Sequence, residues 1–119
     1  MSEHQQQAAL FQWAKTMEGQ YPELFLLYAT PNQGRRTPRQ GQWMVEEGMK
    51  AGVPDVCLPV PNKYYGAFYI ELKDGWNKKP TETQKIWIDS LRAVGNMAEV
   101  YGDWEAAAAA IIQYLKEGR

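Results

Sequence analysis

The segment Ile70-Glu71-Leu72-Lys73 constrains the fold more than any other part of this chain. It sits in a run from Ala67 to Lys73 rich in aromatic and β-branched residues, which reads as a strand. Side chains alternate faces along a strand, so Ile70 and Leu72 enter the core while Glu71 and Lys73 share the other face. Charge on an otherwise apolar strand is costly to bury unless it is paired or binds a metal. Upstream, Val53-Pro54-Asp55 leads into a second apolar run, Val56-Cys57-Leu58. With these two strands as neighbours, two carboxylates and an ammonium meet at one point. Taken alone, Glu71 and Lys73 read as a solvated strand face with a surface ion pair, and Asp after Pro is common in ordinary turns. The combination of a Gly-Val-Pro-Asp turn, an acid and a base two apart, and a helix beginning in a Gln-Lys step changes that reading.

The rest of the chain supplies elements to build around these strands. Ser2 to Met17 reads as a helix, with Ser2 as N-cap and Leu10, Trp13, Ala14 and Met17 at helical spacing. Leu24 to Tyr28 reads as a short buried strand, and Thr30 to Gln40 as a loop punctuated by proline and glycine. Gly41 to Lys50 reads as a helix with Trp43 and Met44 on one side. Thr81 caps a helix running to about Ala93, with Ile86, Trp87, Ile88 and Leu91 on its apolar side. Met97 to Tyr101 reads as a strand, and Asp103 caps a last helix containing the Ala106–Ala110 run. The order α-β-α-β-β-α-β-α places the two central strands antiparallel. A crossover helix makes the last strand parallel to its predecessor. The natural result is an α/β domain, a mixed sheet with helices packed on it.

A length of 119 residues suits one domain with a real core and is short for two. The net charge of −1 excludes a protein that coats nucleic acid by its bulk charge, so any such binding needs a local basic face. Cys57 is the only cysteine, which rules out an internal disulfide, and its apolar neighbours suggest a small buried hydrophobe. A catalytic thiol would want a histidine, and the only one is His4, read as solvent-facing at a helix start. No signal-peptide pattern and no apolar stretch approaching the roughly 20 residues of a membrane span are visible. The expectation is an intracellular, cytoplasmic protein that needs no membrane and no organic cofactor.

The clustered residues point to a chemistry. Phosphodiester hydrolysis requires an aimed and deprotonated water, an offset for the phosphate charge and a stabilised leaving oxygen. Mg²⁺ or Mn²⁺ held by carboxylates with open positions serves all three. Asp55 and Glu71 are the candidate ligands, and the backbone carbonyl of Leu72 is a candidate third oxygen. Lys73 is placed to orient the water or offset phosphate charge. Beside two carboxylates it should stay protonated without metal, which argues against its acting as a base.

Pro54-Asp55 followed by Glu71-Leu72-Lys73 resembles the PD-(D/E)XK nuclease signature. The wider pattern resembles the VRR-NUC branch of that superfamily. It includes Pro31-Asn32, Lys50-Ala51-Gly52-Val53-Pro54-Asp55, Phe68 to Lys73, Gln84, and Glu3 and Gln7 in the first helix. The resemblance covers nearly the whole chain. It implies one restriction-endonuclease-like domain over residues 1–119, of the stand-alone phage or bacterial kind. It further implies that Asp55 and Glu71 bind the metal and Lys73 is the catalytic lysine. Gln84 would orient Lys73 or the water, and Glu3 would complete the acidic site. Glu3 also reads as a favourable first-turn acid, with Glu18 and Glu23 as rivals for its role.

Arg35, Arg36 and Arg39 in one loop, Lys50 before the turn, and Lys78 and Lys79 in another loop are the candidate DNA contacts, suited to phosphates more than to sequence. Each one singly also reads as a solvated loop charge. Trp76 suits stacking on an unpaired base or wedging a junction, but equally a place in the core or in an interface. The resemblance implies structure-specific cutting of branched DNA such as four-way (Holliday) junctions, by a homodimer. A flap, nicking or restriction-like nuclease is an alternative. A catalytically silent DNA-binding module is another, although clustered acids facing a polyanion give a pure binder nothing.

Overall fold

Ser2 opens the first helix, α1 (Glu3–Met17), through a reciprocal capping box with Gln5. The structure, a computed structural model, describes residues 1–31 and 37–117. The elements that follow are β1 (Tyr28–Ala29), α2 (Pro38–Glu46), β2 (Val56–Leu58), β3 (Phe68–Leu72), α3 (Glu82–Ala93), β4 (Met97–Tyr101) and α4 (Trp104–Lys116). The sheet order is β1-β2-β3-β4; the first two pairings are antiparallel and β3–β4 is parallel. This is the expected mixed sheet, flanked by helices. Among the described residues no helix is long and apolar enough to cross a membrane.

The two faces of the sheet differ in chemistry. Val56, Leu58, Phe68, Ile70 and Leu72 join one core with Leu10 and Ala14 of α1 and Ala107, Ile111 and Tyr114 of α4. The small residues Ala107 and Ala108 are buried and let α4 approach the sheet closely, as the alanine run suggested. The opposite face carries Cys57 in register with both Tyr28 and Tyr69, and Glu71 two residues further along β3. Cys57 is buried and unpaired, as expected. Burial raises its pKa, so it is not an activated thiolate.

Three local expectations are corrected. Pro22–Leu26 forms a 3₁₀ helix, leaving only Tyr28–Ala29 as strand. Three residues per turn place i and i+3 on one side. Accordingly Leu24 and Leu27 are buried while Phe25 and Leu26 are exposed. The second helix begins at Pro38, earlier than Gly41, because Thr37 and Gln40 form a capping box, and it ends at Glu46 before Gly48 at φ +100°. It buries none of its residues; Trp43 and Val45 stand in solvent. Ile86 is also exposed. The inward stripe of α3 is Gln84, Trp87, Ile88 and Leu91, at the helical spacing i, i+3, i+4, i+7.

Candidate active site

Asp55 stands one residue before β2, where the ladder to β3 ends at the Val56–Ile70 pair. Its backbone carbonyl accepts from Thr30 N at 2.8 Å, and Thr30 Oγ1 donates to the Pro54 carbonyl at 2.8 Å. The turn is thereby tied to the residue after β1. The Asp55 carboxylate replaces a lost ladder partner, its Oδ2 accepting from Leu72 N at 3.0 Å. The side chain is thus fixed against β3 beside Glu71. Gly52 permits this placement. It has φ +87°, and a Cβ there would lie 2.8 Å from the Thr83 backbone. Only glycine lets the turn lie this close to the first turn of α3.

Glu71 and Lys73 share a face as the alternation requires, but that face is not solvated. Glu71 is 2% exposed and Lys73 7%. The solvated-surface alternative therefore does not describe them. Lys73 Nζ stands 3.6 Å from Glu71 Oε2. Gln84 bridges the two: its Oε1 accepts from Lys73 Nζ at 2.9 Å and its Nε2 donates to Glu71 Oε2 at 3.1 Å. Gln84 Oε1 also accepts from Thr81 N at 2.9 Å, while Gln84 N donates to Thr81 Oγ1. The capping box of α3 and the bridge across the charged pair are one residue's work. Thr81 was legible as an N-cap; the Thr-x-x-Gln spacing was the overlooked sign that Gln84 is locked in place.

The acidic pair has one ammonium, Lys73, for two carboxyl groups. Burial pushes the Glu71 carboxyl up to about 8, reinforced by the charge of Asp55 and a hydrogen bond with its carboxyl, against the opposing pull of Lys73. Glu71 Oε1 is buried with no hydrogen-bond partner. Two facing carboxyls with an unserved oxygen need a proton or a cation between them. The donor set is hard oxygen, which suits Mg²⁺ or Mn²⁺ over softer metals. The residues present therefore fit a divalent cation. No three His, Cys, Asp or Glu side chains form a ligand group among the described residues. Glu3 is exposed on the first turn of α1 and adds to the negative field that raises Glu71. Gln7 is half-buried on the same helix, and its neighbour Gln6 is buried, its Oε1 accepting from Trp104 N to tie α1 to α4.

Beside Asp55 and Gln84 lies a polar cleft of about 200 Å³, lined also by Thr30, Pro31, Lys50, Gly52 and Val53. Lys50 is thus brought to the site. Lys78 and Lys79 are exposed on the segment between Lys73 and α3, Lys78 standing 3.9 Å from Asp74. Arg39 is in the first turn of α2, not in a loop, with its guanidinium 4.8 Å from the Trp43 ring centroid. Asn32, Arg35 and Arg36 lie outside the described residues.

A mixed sheet that brings together an aspartate one residue before β2 and a glutamate and a lysine at the end of β3, with a glutamine reaching in from the next helix, is the framework of a nuclease-family domain. A solved VRR_NUC domain protein matches this structure with a TM-score of 0.86 at 25% identity, over 99% of this chain and 91% of that one. The chain carries a VRR-NUC domain, as the motif resemblance implied. No family model matches the sequence, and no curated protein does.

Proposed function

We propose that this protein is a divalent-metal-dependent DNA endonuclease that cuts branched DNA, including four-way junctions, as a homodimer. The observation that carries the proposal is the pairing of buried Glu71 with half-buried Asp55, two carboxyl groups served by one lysine that is held in place. Asp55, Glu71, the Leu72 carbonyl and, at longer range, Glu3 are the groups proposed to hold Mg²⁺ or Mn²⁺. When bound, the metal would offset phosphate charge and lower the pKa of water.

The chain's own residues supply position. Gln84 fixes the Lys73 ammonium, which is aimed at the attacking water or at a phosphate oxygen. Hydrolysis joins the water oxygen to phosphorus and breaks one phosphorus–sugar oxygen bond, the water proton leaving to solvent and the departing oxygen gaining one. Lys50, Lys78, Lys79 and Arg39 offer phosphate contacts around the site, with Arg35 and Arg36 proposed on sequence grounds alone. Two-fold symmetry in the enzyme would match paired cuts across a two-fold junction.

The test incubates the protein with a four-way junction, a flap and a linear duplex, with Mg²⁺, Mn²⁺ or EDTA. Paired, symmetric, metal-dependent incisions at the junction are expected, abolished by Lys73→Ala. Cutting confined to flaps, nicks or one sequence would move the reading to those nuclease classes. DNA binding without cleavage, and without heat on Mg²⁺ or Mn²⁺ titration, would leave only a binding module. Sedimentation of the free protein tests the dimer.

A further inference from the structure

Trp76 follows Lys73 by three residues, on the segment that leads from the charged strand to α3. It is 64% exposed, which excludes a core role. It is nevertheless firmly mounted. Its Nε1 donates to Asp103 Oδ2 at 2.8 Å, and Asp103 is itself held as the N-cap of α4, its Oδ1 accepting from Ala106 N. The ring stands edge-on to Tyr101, with centroids 6.5 Å apart. It also packs so closely on Gly102 that a Cβ there would lie 2.6 Å from the indole carbons. The indole's one donor is satisfied at the ring edge by Asp103, so what the exposed ring presents to solvent is apolar π surface. Lys78 and Lys79 follow it by two and three positions, both exposed.

We infer that Trp76 is a stacking platform for an unpaired base of the substrate strand close to the cut, and so a residue that selects distorted or branched DNA over continuous duplex. The inference rests on the nuclease reading for its substrate. Three trans peptide units hold the Trp76 and Lys73 Cα atoms within about 11 Å. At about 3.4 Å per step along one strand, that is some three nucleotides. A base in a continuous duplex is already stacked on both sides and has no free face to offer. A base at a branch, flap or junction has one. A ring whose rotamer is already fixed loses little entropy on stacking, and the adjacent lysines favour a polyanionic occupant over an apolar protein surface.

The experiment places 2-aminopurine at successive positions within three nucleotides of the mapped cut in a branched substrate. Its fluorescence is followed on binding to Lys73→Ala, alone and combined with Trp76→Ala or Trp76→Phe. Cleavage by the parent and by Trp76→Ala, Trp76→Leu and Trp76→Phe is measured on branched and continuous DNA. Quenching at one or two positions, lost with Trp76→Ala and kept with Trp76→Phe, is expected. The branched-to-duplex ratio of kcat/KM should fall about 5- to 150-fold in the alanine and leucine variants and largely recover in phenylalanine. Leucine keeps apolar cover over Gly102, so a loss there reports stacking and not unfolding. A parent that cuts nothing yet quenches through Trp76 sinks the nuclease reading and upholds the platform. A ratio and a quench both indifferent to Trp76 overturn the inference, as does a Trp76→Ala effect confined to the oligomeric state in sedimentation.

Discussion

At the Glu71 carboxyl, burial and the Asp55 charge act in the same direction, and Lys73 only partly opposes them. The metal-free folded protein therefore keeps a proton that the unfolded chain releases near pH 4.5, and holds it up to about pH 8. Where the folded state binds the extra proton, stability falls as pH rises. In EDTA, then, the melting temperature of the parent should decline between pH 5 and pH 8 relative to Glu71→Gln, which has no proton to lose. A constant difference between the two melting curves across that range would refute the assignment. Mn²⁺ should raise the parent's melting temperature more at pH 8 than at pH 6, since metal and proton compete for the same oxygens, and should do little for Glu71→Gln. The alternation of Glu71 and Lys73 was plain in the sequence because it depends only on strand geometry. Their burial was not, because it depends on what covers the strand.

The first turn of α3 does two jobs that substitutions can separate. Thr81→Ala removes the cap and should cost about 1 kcal/mol of stability, yet leave the Gln84 amide in reach of Lys73. Gln84→Glu preserves the Thr-x-x-Glu capping box but puts a carboxylate where an amide donates to Glu71. Urea denaturation should therefore penalise Thr81→Ala more, and the cleavage rate should penalise Gln84→Glu more; the reverse order would show that Gln84 serves the helix alone. The turn before β2 makes a second element-scale prediction. Gly52→Ala combines a strained positive φ, which alone costs about 1–2 kcal/mol, with a clash against the Thr83 backbone. It should lower both stability and cleavage, whereas Gly48→Ala, at φ +100° but with open space around it, should show the strain alone. Element boundaries were legible where the chain carries its own punctuation, as at Ser2, Thr81 and Asp103. The 3₁₀ turn at Pro22 and the early start of α2 were misread because an apolar run and a proline-rich run each suit more than one conformation. Ile86 was misplaced because a helix packed along a narrow stripe leaves some apolar residues outside it.

For the whole molecule, the two faces of one sheet divide the labour. One is sealed by α1 and α4 around Phe68, which stacks on Tyr114 with ring centroids 5.1 Å apart. The other carries the charged site. Because Phe68 and Glu71 face opposite ways on the same strand, the core can be weakened without touching the chemistry. Phe68→Ala should cost about 3–5 kcal/mol by urea denaturation. At temperatures where the variant remains folded it should keep cleavage within a few-fold of the parent. A complete loss of activity in a folded variant would mean that the position of β3 depends on this packing more closely than the layered arrangement implies.

The sequence by itself determined the alternation that puts Glu71 and Lys73 on one face, the Pro-Asp turn ahead of the neighbouring strand, the caps of three helices, and the parallel return through a crossover helix. All of these follow from local geometry and chain connectivity, which are written in short spacings. The tertiary structure decided that the charged face is buried, that Asp55 takes the amide of Leu72 as partner, that one oxygen of Glu71 is left without any, and that Gln84 joins acid to lysine. It also fixed Trp76 against Gly102 and Asp103 instead of in the core. Those outcomes depend on which surfaces meet when residues far apart in the chain compete for the same space, and no spacing along the chain records that.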